Sequence, residues 1–165
     1  MSIKFAILGL LAERPMSGFD LVGEFSTARS VIWPAPQNEI YKMLRAAAAD
    51  GTIRVEERGA RGRIVYAITA KGREALRAWL RAESDYTMRY EPMLKAVFLR
   101  QAPASVRRAI AKADLVFAEA QLRELRKADA SRRASPLPDE RADARRLVIL
   151  FYEATAKWAK ELAGN

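Results

Sequence analysis

The stretch "IWPAPQNEIYKML", residues 32–44, runs from an aromatic and two prolines into a segment with helical spacing. Pro36 suits a first helical turn, where its missing N–H has no intrahelical partner to lose, and Gly51 suits the position just past a helix end. A helix is therefore predicted between them. With Ile40, Leu44 and Ala47 as its buried side, a turn of about 100° per residue places Asn38, Lys42, Arg45 and Ala49 opposite. Tyr41 sits on the flank and Gln37 in the first turn. Such a face suits contact with a polyanion, and it equally suits plain solvation.

The flanking segments narrow the choice. Upstream, Phe5, Ile7, Leu8 and Leu11 mark a helix over residues 2–12, which "RPMSG" at 14–18 stops. Ser17 with Asp20 three residues on makes a capping-box-like start for a second helix, whose apolar stripe is Leu21, Val22 and Phe25. "STARSVIWP", residues 26–34, connects it to the third. Downstream, "TIRVEE" sets Ile53 and Val55 against Arg54 and Glu56, and "RIVYAIT" puts Ile64, Tyr66 and Ile68 on one face. The link "RGARG", residues 58–62, makes the two strands a hairpin whose tip carries Arg58, Arg61 and Arg63. Thr69 is a predicted N-cap for a fourth helix, with Leu76, Trp79 and Leu80 at helical spacing and an end near Ser84-Asp85.

Three helices followed by a hairpin is the order of a winged helix-turn-helix, in which the third helix enters the DNA major groove and the wing meets the backbone. Under that reading Gln37 and Asn38 can pair with adenine, Lys42 and Arg45 can reach phosphate or guanine, and Tyr41 can meet a phosphate or a thymine methyl. Arg58, Arg61 and Arg63 would add salt-sensitive attraction to phosphates or insert into the minor groove.

Composition excludes other classes. The 165 residues contain no cysteine and no histidine, which removes disulfide frameworks, thiolate metal sites and histidine-dependent catalysis. Glu56 and Glu57, adjacent in a strand, would point to opposite faces and form no catalytic pair. The glycines of "GARG" lack the strand-to-helix setting of a phosphate loop. No metal, cofactor or enzymatic activity is expected. Half of the residues are apolar and 30% charged, as in a helix-rich globular chain. "FAILGLLA" reads as a core helix of a cytoplasmic protein, too short to span a membrane. The formal net charge is +9. Ten basic against seven acidic side chains in residues 1–72 leave +3, so +6 lies beyond, and charge by itself locates no site.

At these residues the sequence resembles the PadR family of transcriptional regulators. The matching segments are "AILGLLAERPMSGFDL", "WPAPQNEIYKML", "DGTI" and "GRIVYAITAKGREAL", in order over most of residues 5–76. Two departures stand out. Pro36, Gln37 and Asn38 occupy the turn where the family often has a Ser-His pair, and "GARGRI" replaces a wing that often carries proline and lysine. The resemblance implies a homodimeric repressor on an inverted-repeat operator in double-stranded DNA, with ATGT- and ACAT-like half-sites.

The expected fold is mainly α with a small β-hairpin wing, divided into a DNA-binding domain at 1–83 and a helical dimerisation region at 84–165. In the latter, helices are predicted at about 92–100, 105–127 and 139–162, with "DASRRASPLP", residues 129–138, between the last two. Leu147, Phe151, Ala154, Trp158 and Leu162 step by four, three, four and four, a stripe that wants a partner helix, whether inside the chain or in a second copy. Trp33, Trp79 and Trp158 fit a core, a dimer interface or a ligand cavity. Phe98, Phe117, Phe151 and Trp158 are also the aromatics that a small aromatic effector would use, between the winged domain and the helical arm, since relatives respond to phenolic acids and drugs. The competing reading is a winged-helix protein-interaction module whose positive charge serves an acidic partner.

Overall fold

The computed structural model describes residues 2–26, 35–59, 62–85, 87, 90–133 and 141–164. Trp33, Arg61, the 26–34 connector beyond Ser26 and residues 134–138 of the 129–138 loop lie outside the described residues. The chain forms two compact units, Met1–Asp85 and Tyr86–Asn165.

In the first unit, helix α1 spans Ser2–Glu13, strand β1 Met16–Ser17, α2 Gly18–Ser26, α3 Gln37–Ala49, β2 Ile53–Arg58, β3 Ile64–Ile68 and α4 Ala70–Arg81. Ile7, Leu8 and Leu11 of α1, Leu21 of α2, and Ile40 and Leu44 of α3 are almost wholly excluded from water in one cluster with Ile53, Tyr66 and Ile68. Each such side chain contributes about 1.5–3 kcal/mol of transfer free energy. That shared core fixes the orientation of α3 and turns its polar face outward.

Local chemistry sets the helix starts. The Oγ of Ser17 accepts from the backbone N–H of Asp20 at 3.1 Å, while the Asp20 carboxylate accepts from the Ser17 N–H at 3.0 Å and from its hydroxyl at 2.7 Å. This is the reciprocal cap expected at the head of α2. The Thr69 hydroxyl oxygen accepts from the Gly72 N–H at 3.1 Å and so caps α4. That helix ends at Arg81, before the expected Ser84-Asp85, because Leu80 is exposed and gives the last turn nothing to pack. Trp79 instead stacks on Phe5 of α1, with centroids 4.9 Å apart.

The sheet departs from the expected hairpin in two ways. It has three strands in the order β1-β3-β2, because Met16 and Ser17 pair antiparallel with Tyr66 and Val65. The central strand β3 is consequently buried from Val65 to Ile68, without alternation. In β2 the register slips between Val55 and Glu57, a bulge at Glu56. Val55 keeps regular register with Ile53 yet is exposed, and the bulge that follows it removes the strict alternation expected of Glu56 and Glu57.

The α3–β2 turn is tightly held. Gly51 adopts φ +74°, the left-handed conformation glycine accepts without strain. The Asp50 carboxylate accepts from the Thr52 N–H at 2.9 Å and hydroxyl at 2.6 Å, and Lys4 bridges to it at 2.6 Å. The Lys4 and Thr52 hydrogen bonds hold the Asp50 pKa down at about 2.

The second unit contains α5 (Glu91–Phe98), a 3-10 turn at Leu99–Gln101, α6 (Ala104–Arg133) and α7 (Ala142–Gly164). Helix α6 runs six residues beyond its expected end at Lys127. Arg145–Asp129, Arg126–Glu153 and Lys160–Glu119 pairs, at 3.3, 3.0 and 3.4 Å, run in opposite order along the two long helices, which are therefore antiparallel. Ala118, Leu122 and Leu125 of α6 bury against Ile149, Tyr152 and Ala156 of α7. Among the described residues no helix is long and apolar enough to cross a membrane.

Candidate nucleic-acid interface

Helix α3 buries Ile40, Leu44 and Ala47, as its spacing predicts. Gln37, Asn38, Lys42, Arg45 and Ala49 are exposed together on the other side. Among the described residues no carboxylate pairs with Lys42 or Arg45, so their charge is available to an external anion. The first turn lacks a side-chain cap, which leaves the amides of Gln37 and Asn38 uncommitted to the helix.

Tyr41 differs from its neighbours. It is half-buried against the unit's core, and a Cβ built on Gly18 would lie 2.6 Å from its Cε1. Glycine at the head of α2 thus makes room for the ring at the border of the exposed face. Periodicity placed Tyr41 on the flank, but nothing in it pointed to Gly18.

The wing arginines are not equivalent. Arg58, at the end of β2, is exposed and has no carboxylate partner among the described residues. Arg63, just before β3, lies 3.6 Å from the Asp20 carboxylate. Asp20 is thereby tied to both Ser17 and the wing, and its pKa is lowered by the Ser17 hydrogen bonds first and Arg63 second. Arg54 is paired with Glu56 across the bulge. The net positive charge of this surface therefore comes from Lys42, Arg45 and Arg58 more than from Arg63.

In the helical unit the stripe of α7 separates into parts. Leu147 is 69% exposed and Phe151 37% exposed, with Leu150 beside them at 45%. Phe151, Ala154 and Trp158 also line a cavity of about 470 Å³, and Leu162 is half-buried. The packing against α6 uses a different set, Ile149, Tyr152 and Ala156, which the stepping pattern did not single out, and Ala159 is buried as well. Phe117 contacts Tyr152 edge-on with centroids 6.0 Å apart, while Phe98 is exposed.

Residues 7–78, the winged unit just described, match the model of the transcriptional regulator PadR-like family. The winged unit is thus similar to the PadR-like family of transcriptional regulators, over a little less than half of the chain. It is 32% identical over 102 residues to the negative transcriptional regulator PadR of Bacillus subtilis, an alignment covering 59% of this chain and 56% of that one. It is likewise 32% identical over 83 residues to a probable transcriptional regulator of Mycobacterium tuberculosis, covering 48% and 44%. These matches thus span about half the length of the curated relatives.

The fold likeness reaches further than the sequence match. The Bacillus subtilis PadR structure in complex with operator DNA superposes with a TM-score of 0.83 at 23% identity, covering 99% of this chain and 97% of that one. The same protein in complex with p-coumaric acid gives 0.77 at 23% identity over 98% and 93%. The Vibrio cholerae virulence activator AphA gives 0.75 at 24% identity over 98% and 96%. At such identities the likeness is one of fold, and it extends through both units.

Proposed function

We propose that the chain is a cytoplasmic, sequence-specific DNA-binding transcriptional regulator, acting as a homodimer on an inverted-repeat operator and most simply as a repressor. The observation that carries this reading is the α3 face: Gln37, Asn38, Lys42 and Arg45 exposed together, with cations that no carboxylate among the described residues neutralises, beside a basic wing in a PadR-like domain. Amides supply bidentate groups for adenine, and the cations supply phosphate or guanine contacts. Tyr41, Arg58, Arg61 and Arg63 complete the proposed surface. The name of Bacillus subtilis PadR, a negative regulator, supports repression, whereas AphA is an activator on the same fold.

A single reading helix covers few base pairs, so two copies on two half-sites are the economical arrangement. Release by a small effector is the second part of the proposal. It is supported by the p-coumaric acid complex of Bacillus subtilis PadR and by the aromatic-walled cavity inside the helical unit of this chain.

The deciding experiment titrates the full chain against duplex containing an inverted repeat from its own promoter and against random duplex at physiological salt. Preference for the promoter duplex by about 10³ or more is expected. Equal affinity for both would reject the regulator reading in favour of a charge-driven interaction module.

A further inference from the structure

The cavity of the helical unit has an uneven chemistry. Tyr90, the N-cap of α5, and Met93 form one side, Asp114 of α6 the floor, and Phe151, Thr155 and Trp158 of α7 the other side. Tyr90 meets Phe151 edge-on with centroids 5.6 Å apart. The Thr155 hydroxyl is already used, donating to the Phe151 carbonyl at 2.9 Å.

Asp114 is different, for its Oδ2 is shut off from water and accepts no hydrogen bond among the described residues. The field of Lys95 reaches Asp114, yet the Lys95 ammonium is bound to Glu91 at 2.8 Å. Burial pushes the Asp114 pKa up and Lys95 offsets part of that rise. Asp114 nevertheless lines the cavity, and a carboxylate that finds no donor among the described residues gains from an incoming N–H.

We infer that this cavity binds a small organic cation, an amine carried on an aromatic or broad apolar body, with Asp114 as its counter-ion. The faces of Tyr90, Phe151 and Trp158 attract cations through their quadrupoles, and their area takes up the apolar body. An anionic ligand would meet the Asp114 charge with no cation among the lining residues, so a carboxylate effector of the p-coumaric acid kind fits this wall poorly. The inference rests on the regulator reading for its consequence, altered DNA affinity, but not for the binding itself.

The test uses calorimetric titration of the full chain at near-neutral pH with three ligands on one ring: 2-naphthylmethylamine, 2-naphthylmethanol and 2-naphthoate. The amine is expected to bind about tenfold tighter than the alcohol, with naphthoate weakest. Asp114→Asn should abolish the amine preference while sparing the alcohol, and Ala154→Phe, which narrows the cavity, should weaken amine and alcohol alike. Equal affinity for all three ligands, preference for naphthoate, an unchanged preference in Asp114→Asn, or no binding because a second copy fills the cavity would each overturn it. A promoter-duplex titration on the same samples separates the two failures. Specific DNA binding without amine binding sinks only the cation site, and amine binding without specific DNA binding sinks only the regulator reading.

Discussion

The Arg63 guanidinium lies 3.6 Å from the Asp20 carboxylate, which joins the base of the wing to the first turn of α2. Arg63 therefore serves fold and charge at once, whereas Arg58 serves charge alone. Each phosphate neutralised steepens the salt dependence of binding by about 0.9, so Arg58→Ala should make it shallower by about one for every duplex alike. Arg63→Ala should reduce it by less, since part of its charge is already answered by Asp20. Titrations at several salt concentrations check this. Equal losses for the two variants would mean that DNA displaces Asp20 from Arg63.

On the reading helix, Asn38→Ala should cost about 1–3 kcal/mol of discrimination between operator and mutated half-site, with little effect on folding, because Asn38 is exposed and its side chain pairs with nothing among the described residues. Tyr41 needs a gentler substitution. Its ring packs beside Gly18, so Tyr41→Ala would lose core contacts as well as any DNA contact. Tyr41→Phe keeps the ring and isolates the hydroxyl. Competition binding with single-base operator variants reads both, and unchanged discrimination in Asn38→Ala would remove that residue from the proposed surface.

Gly72 lies where α4 crosses the α3–β2 turn. A Cβ there would stand 2.1 Å from the Thr52 carbonyl oxygen and 2.8 Å from a side-chain carbon of Ile68. Alanine normally favours a helix, but here backbone would have to move. Gly72→Ala should destabilise the winged unit by about 3 kcal/mol, at the upper end of overpacking costs, rather than stabilise it as propensity alone suggests. Thermal or denaturant unfolding decides between the two signs.

Asp50 gives the fold an acid dependence. Its folded pKa of about 2 is below the ordinary 3.8, so its contribution is present above the ordinary value and is lost as pH falls through about 2. The carboxylate is 40% exposed, and solvent screening limits the effect to about 1 kcal/mol at most. Asp50→Asn should melt lower than the parent chain at neutral pH and approach it in acid. A constant difference down to about pH 2 would show that the Lys4 and Thr52 contacts do not depend on the charge.

What the sequence discloses is the part of the structure fixed by neighbours along the chain. The face of α3, the Ser17–Asp20 cap and the Thr69 cap all depend on residues within one or two turns, and each is where the spacing puts it. Strand β1 could not be read this way. Two residues carry no periodicity, and Met16–Ser17 is a strand only because β3 lies alongside. The Glu56 bulge, the Gly18 notch for Tyr41 and the pairing of Arg63 with Asp20 are likewise products of chain crossing. The Asp114 cavity draws its wall from three helices separated by tens of residues, and no local motif announces it.

The two stripes of α7 make assembly testable without dismantling the arm. Ile149, Tyr152, Ala156 and Ala159 are buried within the unit, while Leu147 stays 69% exposed on another side. Deleting residues 139–165 would strip the cover from Ala118, Leu122 and Leu125 of α6, so aggregation there would say nothing of dimerisation. Leu147→Glu is the cleaner change. If the exposed stripe is the dimer seam, a charge at its N-terminal end should shift the chain towards monomer by about 2 kcal/mol or more, with helix content unchanged. Ile149→Glu, by contrast, should unfold the arm. Sedimentation over a concentration series, with circular dichroism alongside, distinguishes the two. A Leu147→Glu chain that keeps both its fold and the parent's dimer affinity would place the contact between copies on another surface.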